Sequence, residues 1–151
     1  MSITISLHLL AAIIWVGGMF FAHNFLRPAT LALAPEQRIL LWSGVFSRFF
    51  LWVWISVVML PVTGYWAIFM EMGGMKAVGY HIHFMQAIGL VMIGLFAYMY
   101  LFPYRAFRRM AKELLIPEAA MYMVKIRLIV TINLGLGLVA SVLGGAGRYW
   151  F

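Results

Sequence analysis

Polar residues in this chain fall into short islands between long apolar runs. Four runs stand out, at about 3–26, 45–70, 81–103 and 124–147. At about 1.5 Å of rise per residue, roughly 20 apolar residues cross the hydrocarbon core of a bilayer. Each run meets that length. The pattern therefore predicts an all-α polytopic membrane protein, a four-transmembrane-helix bundle in a single domain over 1–151.

The islands carry the punctuation expected between helices. Pro35-Glu36 suits a first helical turn, with a carboxylate near the positive dipole end. Span 2 is thus expected to begin early and rise through Leu41 and Trp42, and Pro61 is expected to kink it. Gly73-Gly74 marks a turn, and Pro117-Glu118 a further helix start. Residues 105–115 mix arginine and lysine with Phe107, Met110, Leu114 and Leu115. That mixture suits an interfacial helix or an extension of span 3. Asn133, Gly137, Ala140 and Gly144 give span 4 a small-residue face that lets a neighbour approach closely.

Composition agrees with the pattern. The chain is 66% hydrophobic with a mean hydropathy of +1.00, and 10% charged where a soluble domain would be about one quarter charged. Its net charge of +7 is read as topology and contact with anionic lipid headgroups, since no nucleic-acid motif accompanies it. Arg27, Arg38 and Arg48 lie between spans 1 and 2. Arg105, Arg108, Arg109, Lys112, Lys125 and Arg127 lie between spans 3 and 4. Only Lys76 and Arg148 are found on the other side. The excess of basic residues places both connections in the cytoplasm and both termini on the outer (periplasmic) side. The first apolar run lacks a basic segment before it and is too long for a signal peptide, so it is read as a retained helix. No cysteine is present, which excludes disulfides, thiolate metal sites and covalent heme attachment.

The chemistry rests on histidines in apolar surroundings. An imidazole in hydrocarbon must be neutral and either hydrogen-bonded or metal-bound, because an unsatisfied polar group there costs several kcal/mol. His8 lies near the outer end of span 1, and His81 and His83 begin span 3 at the same end. His23 lies about 22 Å below His8 along an ideal helix and belongs to the other interface, where it is expected to snorkel beside Arg27. His81 and His83 differ by about 200° around a helix, so one of them faces the bundle. The stripe from His83 passes Ala87, Leu90, Gly94 and Ala97; the stripe from His81 passes Met85, Ile88, Met92 and Leu95. The small-residue stripe is expected to face inward, with His83. From His8 the stripe runs through Ala12, Trp15 and Met19, with Gly18 alongside. Two imidazoles at matched depth above small residues suit a b-type heme held without covalent attachment between helices. Its ligands would be His8 and His83, with Trp15, Gly18, Ala87 and Gly94 lining it.

Two other readings stand beside it. Met72, Met75, His81 and His83 gather at the outer end with His8, and thioether and imidazole ligands suit copper. Alternatively the histidines bond only to protein groups, and the chain is a cofactor-free structural or assembly subunit packing through span 4. Glu71 and Glu113 read as solvated. No nucleophile–base pair, phosphate loop or zinc hydrolase spacing is present, so an enzymatic role is open only as a heme oxidoreductase.

The run from His8 through Trp15 to Gly17-Gly18 resembles the first helix of the CopD-like copper-resistance membrane proteins. Ser47-Arg48-Phe49, Thr63-Gly64 and the stretch from Arg127 to Asn133 and Gly137 are similar as well. The same pattern resembles the HemJ-type protoporphyrinogen oxidases, which are heme membrane proteins. In these, a tryptophan follows the helix 1 histidine by seven residues, and helix 3 opens with His-Ile-Lys. Here Gly79-Tyr80-His81-Ile82-His83 puts a histidine where that lysine stands, which departs from the oxidase pattern and supplies an iron ligand. The resemblance implies a four-helix bundle of the cell inner (cytoplasmic) membrane with either heme or copper near His8. The leading expectation is a bis-histidine heme b protein acting in electron transfer or oxidoreduction; the alternative is CopD-like copper transport or homeostasis. The expected partners are membrane lipids, heme, a redox partner protein and a second copy of the chain, with no nucleic acid.

Overall fold

The computed structural model describes residues 2–150; Met1 and Phe151, the ends of the expected 1–151 domain, lie outside the described residues. Four long helices carry the chain: α1 (Ile3–Ala32), α2 (Pro35–Glu71), α3 (Tyr80–Lys112) and α4 (Ile116–Tyr149). All four are long and apolar enough to cross a membrane. The described residues contain no strand, and the fold suits a four-span membrane bundle.

Each helix outruns its apolar stretch on the side rich in arginine. α2 starts at Pro35, as the Pro-Glu pair predicts, and the Gln37 carboxamide accepts a bond from the Ala34 N–H. It continues through Pro61 to Trp66 and then widens to π geometry over Ala67–Glu71. α3 extends through Arg105–Lys112, where Phe107 and Ala111 are buried and the arginines exposed. Of the two readings of that segment, the extension of span 3 is the one found. The α2–α3 turn uses Gly73 and Gly74 at φ +84° and +93°, values that favour glycine.

In the bundle α1 packs along α2, and α3 along α4. The small face of α4 works as its composition predicts. A Cβ at Gly137 would stand 2.7 Å from Val16 of α1 and 3.1 Å from Met92 of α3; one at Gly144 would meet the Met85 sulfur at 3.2 Å. Between these helices the buried Asn133 donates from Nδ2 to the Met92 carbonyl at 3.1 Å.

Burial is uneven along the bundle. Toward the arginine end Trp42, Phe46, Phe50, Phe96, Tyr104 and Phe107 form one interlocked aromatic cluster, with Phe50 and Tyr104 edge to face at 4.8 Å. Toward the His8 end few residues are fully buried, among them Ala11, Thr63, Ala67 and Ile68. Ile3, Leu7 and Leu10 of α1, Leu90 of α3 and Val142 of α4 are all exposed.

Candidate functional site

His8 is half-buried, one turn and a half into α1, against Thr63 and Gly64 of α2. Its Nδ1 lies 2.9 Å from the Thr63 hydroxyl oxygen. That hydroxyl also lies 2.6 Å from the Met59 carbonyl oxygen. Two oxygens this close need a proton between them, and the carbonyl has none to give. Thr63 therefore spends its only proton on Met59 and meets His8 as an acceptor. The proton of the imidazole must sit on Nδ1, and Nε2 carries the free lone pair. Metal-ligating histidines are oriented in this way by a bond from the opposite ring nitrogen. Gly64 makes room for the ring, since a Cβ there would stand 3.2 Å from Cε1.

A second pair tests this assignment. The Thr30 hydroxyl donates to the Arg27 carbonyl at 2.8 Å and accepts from the Trp42 indole at 3.3 Å. An indole N–H can only donate. A threonine whose proton is committed to its own helix thus serves as acceptor for a ring on the next helix.

On α3 the inward face is the one from His81. Met92, Phe96 and Met99 are buried on it, and Met85 and Ile88 are half-buried. The expectation that His83 heads the inward face is overturned: Ala87, Leu90 and Gly94 are exposed. The small stripe looks away from the core because aromatic and methionine side chains fill it, and small residues would leave it hollow. His83 is half-buried. His81 is seated between two glycines: a Cβ at Gly147 would lie 2.5 Å from its Cβ, and one at Gly79 2.8 Å from Nδ1 and Cε1. Its Nδ1 is buried without a hydrogen-bond partner.

The two histidines lie at similar depth. Val16 touches Gly137, and Gly147 touches His81. Counting outward from the Val16–Gly137 contact at 1.5 Å per residue gives about 12 Å to His8 and about 15 Å to Gly147.

The other expected lining residues serve packing. Trp15 is buried and meets Phe96 edge to face at 6.1 Å. Gly18 leaves no room for a flat group, because the Phe49 ring fills its face and would stand 2.3 Å from a Cβ. In the copper set, the Met75 sulfur accepts from Gln86 Nε2 at 3.8 Å, and Met72 is half-buried in the turn. No group of three or more His, Asp or Glu side chains placed to hold a metal ion occurs among the described residues. Glu71, expected to be solvated, is half-buried and accepts from the Thr4 hydroxyl at 2.9 Å, tying α1 to α2.

Thr63 as the partner of His8, and the Gly79–Gly147 seat of His81, are the contacts of the candidate site that sequence reasoning missed. No protein-family model matches the chain, and no curated protein or solved structure matches it either.

Proposed function

We propose that this protein binds a b-type heme without covalent attachment at the His8 end and acts in electron transfer within the membrane. The observation that carries the reading is the His8–Thr63–Met59 chain, which fixes the imidazole tautomer and leaves Nε2 as a ligand. The donor set fits the group. His8 on α1 and His81 on α3, at similar depth, would hold it, with His81 in place of His83. A heme between two imidazoles also needs their helices apart, and here α1 packs on α2 while α3 packs on α4. Held by two histidines, a heme would supply one-electron transfer rather than small-molecule chemistry.

The chain's own part is to hold and shield. Thr63 orients His8, Gly64 admits its ring, and Gly79 with Gly147 locks His81. The His8 end is the more sparsely buried of the two, with Ala11, Thr63, Ala67 and Ile68 among its few buried residues.

The test is the absorption spectrum of detergent-purified protein, oxidised and dithionite-reduced, with iron and copper measured on the same sample. A sharp reduced α-band with near-stoichiometric iron is expected, lost in His8→Ala and in His81→Ala and kept in His83→Ala. Full heme in stably expressed His8→Ala and His81→Ala variants would sink the proposal. A colourless protein carrying copper would instead favour the copper reading.

A further inference from the structure

At the arginine end, α1, α2 and α4 enclose a cleft lined by His23, Arg27, Trp42, Phe46, Phe49 and Arg127 among other apolar side chains. Its cavity volume is about 40 Å³, room on the order of three waters. No carboxylate lines it. Arg27 and Arg127 are half-buried, and the charges that act on Arg127 are those of Arg27 and Arg38. Arg38 is already engaged, donating to the carbonyls of Thr30, Leu31 and Leu33. The guanidinium groups of Arg27 and Arg127 have no acceptor among the described residues. Like charges held together beside aromatic rings are unfavourable unless an anion joins them.

His23 lines the same cleft. The Thr131 hydroxyl donates to the Arg127 carbonyl at 2.8 Å, so in its 3.3 Å contact with His23 Nδ1 it can only accept. The His23 proton is therefore on Nδ1, so Nε2 is an acceptor and the anion is held by the two arginines rather than by this ring. A second groove, between α3 and α4, also carries cations, but Arg105, Arg109 and Lys125 there are exposed, and Lys125 lies over the Tyr122 ring.

We infer that the α1–α2–α4 cleft is a binding site for an anionic phospholipid, whose phosphate Arg27 and Arg127 clamp while its acyl chains run along the aromatic wall outside. Guanidinium forks match phosphate oxygens in geometry as well as charge. Basic pockets between membrane helices at headgroup level hold such lipids. The cavity seats a phosphoryl group, and the apolar lining of Trp42, Phe46 and Phe49 suits the glycerol and upper acyl carbons. This site is separate from the His8 end and does not depend on heme.

The experiment reconstitutes delipidated protein in nanodiscs of pure phosphatidylcholine or of phosphatidylcholine with added phosphatidylglycerol. Retained lipid is read by native mass spectrometry, and the thermal midpoint is measured alongside. Wild type is expected to keep one phosphatidylglycerol and to melt higher with it. Arg27→Gln with Arg127→Gln should weaken that binding on the order of thirtyfold, the combined effect of two cations. Arg108→Gln with Lys112→Gln, which removes the same charge from exposed positions, should leave it unchanged. Equal loss in both pairs, or retention in the first, would overturn the site. Inorganic phosphate that reproduced the thermal shift in phosphatidylcholine alone would overturn the lipid as its occupant. If the Arg27/Arg127 variant does not fold, wild type decides the matter: no preference for phosphatidylglycerol over phosphatidylcholine refutes the inference.

Discussion

The two ends of this bundle are built from the same four helices and packed by different means. At the arginine end, aromatic rings from α2 and α3 interlock, and Phe96, Phe107, Ile39 and Ile126 are fully buried. At the His8 end the helices pair two by two, and single polar contacts such as Thr63 with His8 and Thr4 with Glu71 tie α1 to α2. The first end is a packed core, broken only at the cleft beside Arg27 and Arg127. The second is held by a few directional bonds, as expected where lipid competes equally for apolar surface. His8, His81 and His83 lie at the second end and His23 at the first.

The comparison can be broken by mutation, most strongly at the aromatic end. Phe107→Ala should cost about 3–5 kcal/mol by leaving a cavity among fully buried rings, visible as a large fall in thermal midpoint in detergent. A fall no larger than at the His8 end would erase the distinction. Gly137→Leu, at the junction of the two ends, should cost about 1–3 kcal/mol by driving Val16 and Met92 away from α4. Thr63→Val keeps the shape and removes the acceptor of the His8 Nδ1 proton. It should cost on the order of 1 kcal/mol in stability and loosen the imidazole, which nitrogen-15 shifts of the ring would report as a mixture of tautomers. Unchanged shifts would mean that Thr63 does not set the tautomer. Smallest of all, Ala87→Leu and Gly94→Leu on the exposed face of α3 should stay within about 0.5 kcal/mol of wild type. A larger effect would show that this face is covered by another chain or a ligand.

Much of the architecture was legible because its signals are local. Pro35 and Pro117 announce helix starts, Gly73-Gly74 a reversal, and the run of arginines among Phe107 and Met110 an amphipathic extension of α3. The inward face of α3 was not legible. In a membrane both faces of a helix are apolar, so hydrophobic periodicity is muted, and a small-residue stripe can serve close packing or face lipid equally well. On α4 the same signal meant close packing, at Gly137 and Gly144; on α3 it did not. Gly18 followed a third course, as the seat of Phe49. The role of Thr63 depends on the register of α1 against α2, across 55 positions of sequence, which no local pattern encodes. The proton positions at Thr30, Thr63 and Thr131 follow from oxygen–oxygen distances, which no sequence pattern encodes.

The helix lengths set one further consequence. α2 has 37 residues and α3 has 33, which at 1.5 Å per residue makes them about 55 Å and 50 Å long, against a hydrocarbon core of about 30 Å. The surplus lies where the arginines are, so in a bilayer of that thickness the arginine ends of α2 and α3 would reach past the hydrocarbon core. In that arrangement two solvents would act on one bundle. Urea should loosen the arginine end first, whereas a change of detergent chain length should be felt mainly around His8.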